Sequence, residues 1–242
     1  MESPAAKRTK MSDHKINEPV KTSSNTKKFG KPNSSYSAVY DHHYNKPFYV
    51  DKTLLIKELF EIKHVLITAP SRFGKTLNMD MVRRFVEIEL DEDGKPIELD
   101  VDEDKRCLKE IQPRSKNFKL FQGKNISKEK EIVFEHFGKY PTLYVDFSSV
   151  QESDYEQNLA EIRWTIHWAF VKHAYLLEST LWSRPGFNKE TFMKYFDCIE
   201  YESLSEDELK YGLQILSKCL HGYYGRKVFV FIEEFDVPVN TM

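Results

Sequence analysis

The sequence predicts an α/β fold with a mainly parallel sheet, and three observations carry that prediction. Apolar runs at His64-Val65-Leu66-Ile67-Thr68, Thr142-Leu143-Tyr144-Val145-Asp146-Phe147 and Val228-Phe229-Val230-Phe231-Ile232 lack the alternation of a half-exposed strand, which suits strands covered on both faces. Amphipathic stretches stand between these runs, with apolar residues three and four positions apart. Strands alternating with helices in this way build a parallel sheet through crossover connections. At 242 residues, with 40% hydrophobic and 14% aromatic content, the chain can bury one full core or two small ones.

Residues 1–45 stand apart from this pattern. They hold seven Lys and one Arg against four acidic residues and almost no Leu, Ile or Phe, too little apolar surface to offset ordering entropy. A disordered basic tail is expected there. The folded body begins near Lys46, where Phe48 to Thr53 lead into a short helix containing Leu54, Leu55, Leu59 and Phe60, with Asp51 or Thr53 as its cap. After the first strand and a loop, a second helix places Leu77, Met81, Phe85 and Ile88 inward and Asn78, Asp80, Arg83, Arg84 and Glu87 outward. Residues 87–104 carry ten acidic side chains against one Lys and turn at Asp93-Gly94-Lys95-Pro96, the pattern of a solvated hairpin or loop.

The second strand is followed by a long helix from about Asp154. Ser153 and Glu156 have capping-box spacing there, and Leu159, Ile162, Ile166, Phe170 and Leu177 share a face. Ser205 and Glu208 repeat the capping box before Leu209, Leu213, Leu216 and Leu220, with Gly222 as the expected stop.

Chemistry concentrates where the first strand meets its helix. Ala69-Pro70-Ser71-Arg72-Phe73-Gly74-Lys75-Thr76 ends as a Walker A phosphate loop ends, although Ala69 stands where the motif has its first glycine. Free N–H groups and the positive end of the helix dipole favour phosphate at such a place. Ser71, Arg72, Phe73, Gly74, Lys75 and Thr76 are therefore the candidate nucleotide-binding residues. Lys75 would reach the β- and γ-phosphates of ATP, Thr76 would offer its hydroxyl to Mg²⁺, and Gly74 would let the backbone come close. Arg72 would add charge near the terminal phosphate or lie on the surface. The third strand ends in Ile232-Glu233-Glu234-Phe235-Asp236, which looks like a Walker B segment. Glu233 would take the magnesium side and Glu234 would be the catalytic, water-polarising carboxylate. An Asp is usual at the metal-side position, and the added methylene of Glu233 extends its reach.

Other function classes find little support. With 36 basic and 38 acidic side chains the formal charge is -2, so no global field draws in nucleic acid. Cys107, Cys198 and Cys219 lie far apart, and His167 and His173 are six residues apart, so neither a disulfide framework nor a zinc site is indicated. No apolar run is long enough to span a membrane. A small-molecule kinase would need an acceptor site and a lid that the sequence does not reveal.

Two resemblances add to this reading. Pro4-Ala5-Ala6-Lys7-Arg8-Thr9-Lys10 resembles the short basic nuclear-import signal of the Myc oncoprotein. It implies an import receptor bound through Lys7, Arg8 and Lys10 and a nuclear location. A solvated tail on a cytoplasmic protein is the alternative.

Tyr49-Val50-Asp51-Lys52-Thr53, Arg72-Phe73-Gly74-Lys75-Thr76, Leu120-Phe121-Gln122-Gly123, Lys139-Tyr140-Pro141 and Tyr223-Tyr224-Gly225 through Asp236-Val237-Pro238 resemble, in the same order, the recurring segments of the AAA-ATPase-like domain proteins. The resemblance spans roughly residues 46–242 and implies a three-layer P-loop NTPase-like domain. In that family the first Walker A glycine is often absent, and the domain often precedes a restriction-type nuclease fold. It also implies a further strand after Walker B, bearing a polar sensor residue and lying between the two Walker strands. The expectation is thus a domain incomplete at its C-terminus, binding ATP and Mg²⁺ with weak or absent hydrolysis. The alternative is a degenerate, non-enzymatic interaction module that meets a protein partner or a second copy of itself.

Overall fold

The computed structural model describes residues 50–62, 66, 68, 70, 73–102, 104, 107–109, 112–151 and 154–236. The basic tail with Lys7, Arg8 and Lys10, and most of the predicted strand over 64–68, lie outside the described residues. Among the described residues are seven α-helices and two two-stranded sheets, a mixed α/β arrangement in which one sheet is parallel and the other antiparallel.

α1 (Leu55–Glu61) carries no side-chain cap. Asp51 instead accepts hydrogen bonds from Thr53 N (2.9 Å), the Thr53 hydroxyl (2.7 Å) and Asn125 N (2.8 Å), while the Thr53 hydroxyl accepts from Ile126 N (3.1 Å). The two expected capping residues thus pin the start of the domain to the turn at 125–126, because an Asx turn and a distant pair of amides satisfy them first.

α2 (Lys75–Val86) follows Gly74, and its last turn is tied to the 138–140 segment by Gly138 N to Phe85 O and Tyr140 N to Val86 O, both 2.8 Å. Then come β1 (Val101–Asp102) and β2 (Cys107–Leu108), paired antiparallel, and the short helices α3 (Lys116–Phe121) and α4 (Lys130–His136).

β3 (Thr142–Asp146) leads to α5 (Tyr155–Val171), whose N-cap is Asp154, accepting from Gln157 N at 3.1 Å. Ser153, the expected cap, lies outside the described residues. α6 (Lys189–Phe196) and α7 (Glu206–Tyr224) complete the helices, and the Ser205/Glu208 capping box is present. α7 runs past Gly222 and stops at Gly225, whose φ of 65° suits a glycine C-cap. Gly222 is there for packing: a Cβ on it would lie 2.3 Å from Cζ of Phe187.

β4 (Phe229–Glu233) pairs in parallel with β3, with Leu143 opposite Val230, Val145 opposite Ile232 and Asp146 opposite Glu233. Alternation along the pair divides the interior into two cores. Leu143 and Val145 pack into a cluster with α5, α6 and α7, around Phe170, Phe192 and Leu216. Tyr144, Phe229 and Phe231 face a second cluster built on α2, α3 and α4, around Phe85, Phe121 and Phe137. On β4 the side facing the first cluster is incompletely covered, leaving Val230 47% and Ile232 39% exposed. The expected full burial of this strand therefore holds on one face only.

Candidate functional site

Gly74 has φ 82°, a left-handed conformation that turns the chain into α2, and a Cβ there would meet only Asn78 Nδ2, at 4.0 Å. Backbone conformation, not crowding, is what calls for glycine at this position. Lys75 and Thr76 open the helix and are half-buried, whereas Phe73 is exposed. Ser71 and Arg72 lie outside the described residues.

β4 delivers the second half of the site. Glu233 is 6% exposed at the end of the strand. The Tyr144 hydroxyl of β3 donates to its Oε2, and the Thr76 hydroxyl lies against the carboxylate and favours its charged form. Its Oε1 is buried and has no hydrogen-bond partner, the one such side-chain atom among the described residues. Burial, with Asp146 and Glu234 nearby, holds the Glu233 carboxyl above the ordinary 4.5 despite those two hydroxyls.

Its neighbours are held in other ways. Asp146 accepts from Ser148 N (2.9 Å) and the Ser148 hydroxyl (3.0 Å). Glu234 is half-buried and has φ 51°, a left-handed conformation that costs a glutamate energy and so marks the strand end as strained.

The raised Glu233 pKa has a consequence for stability. A carboxyl whose folded pKa lies above its unfolded value supports the fold fully below about pH 4.5, and that support is lost as pH rises through the folded value. Glu233→Gln is accordingly expected to unfold at a higher temperature than the parent chain at pH 7 and to lose that advantage below about pH 4.5. Thermal melts across pH 4 to 8 check this, and a variant less stable than the parent at pH 7 contradicts it.

Behind the site, the outward face predicted for α2 is in fact covered. Asp80 is 2% exposed and Arg84 8%. Asp80 Oδ1 accepts from Arg83 Nη2 (2.5 Å) and Oδ2 from Arg84 Nε (3.1 Å), while Arg84 Nη1 reaches Asn117 Oδ1 (3.2 Å). Arg83 Nη1 donates to Glu87 (2.5 Å), which also accepts from Asn117 Nδ2 (3.0 Å). Burial raises the Glu87 pKa, against the pull of Arg83. Glu89 accepts from the Ser115 hydroxyl and Lys116 N, both 2.8 Å, at the start of α3. The acidic stretch is therefore solvated only in part, because α3 lays its polar N-terminal turn over Glu87 and Glu89.

His167 is a core residue, with Nδ1 2.9 Å from Tyr195 O and its ring stacked on Tyr201. Among the described residues no group of three or more His, Cys, Asp or Glu could hold a metal by itself, and no helix is long and apolar enough to cross a membrane.

The structure thus joins Gly74, Lys75 and Thr76 at one helix start and brings Thr76 to Glu233. Tyr144 and Asp146 escaped the sequence reading as site residues. The available signal was that β3, like β4, is an apolar strand ending in an acid.

No curated protein and no solved structure matches the chain. A model of the family described as "Predicted AAA-ATPase" matches residues 34–99, a span that takes in the sequence from Ala69 to Thr76 and all of α2 and ends before β3 and β4, so the likeness concerns the Gly74-Lys75-Thr76 end of the candidate site.

Proposed function

We propose that this chain is a nucleotide-binding domain of P-loop type that takes ATP with Mg²⁺ and hydrolyses it weakly or not at all. The observation that carries the reading is the meeting of Thr76, at the start of a 12-residue helix, with the buried Glu233 carboxylate, whose Oε1 lacks a partner. A buried carboxylate that meets a hydroxyl and keeps one oxygen unsatisfied is an oxygen donor set that suits a hard divalent cation whose shell is completed by phosphates and water. The family match over the loop and α2 supports the same reading.

In this reading the N–H groups at the start of α2 and the Lys75 ammonium hold the β- and γ-phosphates, and Gly74 keeps the backbone close to them. Thr76 and Glu233 hold Mg²⁺, which when bound neutralises phosphate charge. Glu234 orients water at the strained end of β4, and Ser71 and Arg72, which precede Gly74 in sequence, are the further candidate nucleotide-binding residues.

The test is thermal unfolding with and without ligand. ATP with Mg²⁺ at about 100 times its dissociation constant adds roughly 2.7 kcal/mol of stability. Lys75→Ala is expected to remove most of that gain. No shift in the parent chain, or an equal shift in Lys75→Ala, would sink the proposal. A null result would favour a non-enzymatic interaction module, a reading that draws on the exposed Val230 and Ile232 of β4.

A further inference from the structure

Glu233 is one methylene longer than the aspartate usual at a Walker B metal position, and its neighbours on the sheet say how that length is used. Tyr144 lies opposite Phe231 in the register, on the face of the pair that Glu233 shares, and its hydroxyl donates to Oε2. The phenol ring is held in turn: the Arg83 guanidinium carbon lies 5.9 Å from its centroid and the Lys172 ammonium 5.2 Å. Arg83 is fixed by Asp80 and Glu87. The donor that grips Oε2 therefore stands on an immobilised platform, while Oε1 is buried and without a partner.

We infer that Tyr144 is a positioning residue for the divalent cation. By holding Oε2 it fixes the last torsion of Glu233 and leaves Oε1, which has no partner in the protein, as the oxygen for the cation. A glutamate has one more torsion to order than an aspartate, and the Tyr144 hydrogen bond orders it before the cation arrives. The longer side chain is then a fitted ligand, because it is long enough to reach Tyr144 and the cation at once. This inference rests on the nucleotide reading above.

The experiment measures Mn²⁺ affinity by the loss of the free-ion paramagnetic resonance signal. It uses the full chain with a non-hydrolysable ATP analogue, for the parent, Tyr144→Phe, Glu233→Asp and the double variant. Tyr144→Phe keeps the ring between its two cations and loses only the hydroxyl. It is expected to weaken Mn²⁺ by about 10–100-fold, as loss of a partner behind a metal ligand does. Metal-free affinity for the analogue is expected to stay within about twofold, the scatter of independent sites. Glu233→Asp is expected to weaken Mn²⁺ as well, and the double variant to be no worse than the poorer single one, since both changes break the same link.

Mn²⁺ affinity unchanged in Tyr144→Phe, tighter binding by Glu233→Asp, or two fully additive losses would overturn the inference. If the parent binds Mn²⁺ with the analogue and Lys75→Ala abolishes this while Tyr144→Phe does not, the inference alone falls. If the parent binds no Mn²⁺ with the analogue, the nucleotide reading falls and takes the inference with it.

Discussion

Asp80→Ala is expected to lower the unfolding free energy by about 3–5 kcal/mol, the loss typical of breaking a buried ion pair from one side. Asp80 is 2% exposed and receives both Arg83 and Arg84, so its removal takes from two guanidinium groups the carboxylate they share in a part of the fold that water scarcely reaches. The favourable Coulomb energy is not what makes the change so costly. Bringing these charges out of water is expensive, and Asp80 is part of what offsets it. It follows that replacing Asp80, Arg83, Arg84 and Glu87 together with Leu and Met should cost less than Asp80→Ala alone, because the charges that pair with one another are then removed together. Urea unfolding of the three proteins decides the point. A loss below about 1 kcal/mol for Asp80→Ala would place this network with exposed ion pairs, which contribute little.

That network also shows where the sequence was legible and where it was not. Local signals served well. The apolar runs marked β3 and β4, the 3.6-residue period marked α2, α5 and α7, and Ser205 with Glu208 marked a helix start. Each depends on residues a few positions apart, and their physics is the same whatever lies across the fold. The charged face of α2 was unreadable because its environment is set from 26 to 30 residues away, where Asn117 and the Ser115 turn close over Glu87 and Glu89. A charge facing solvent and a charge facing a partner helix have the same spacing. Gly222 was misread for a related reason: a glycine near a helix end looks like a stop until Phe187 is known to press against it.

The site divides along the same line. Gly74, Lys75 and Thr76 form a contiguous motif and were visible, as was the acid at the end of β4. Thr76 meets that acid directly across the fold, and the hydroxyl that holds it comes from Tyr144, 89 residues from Glu233, a contact that only the parallel register of β3 and β4 reveals.

Phe85→Ala carries the other large expected effect. Phe85 is fully buried on α2, with its ring edge-to-face against Phe121 at 5.4 Å and Phe137 at 5.2 Å. Truncating such a ring costs about 3–5 kcal/mol, because the transfer energy is lost and packed neighbours cannot fully close the cavity. Phe192→Ala should cost about the same, since Phe192 is equally buried among Phe170, Trp182 and Phe196 in the other core. The two variants should part in their response to ligand. Phe85 packs in the core that α2 shares with Phe231 of β4, so a cavity there loosens the element that brings Thr76 to Glu233. Phe192 packs in the core beneath α5, α6 and α7 and leaves α2 in place. At temperatures where both variants remain folded, ATP with Mg²⁺ should stabilise Phe192→Ala by the same roughly 2.7 kcal/mol as the parent at matched saturation. Phe85→Ala should show a clearly smaller gain at the same ligand concentration. Equal gains in both would mean that the seating of α2 on β4 does not govern the site, and the reading of Thr76 and Glu233 as one binding unit would lose its support.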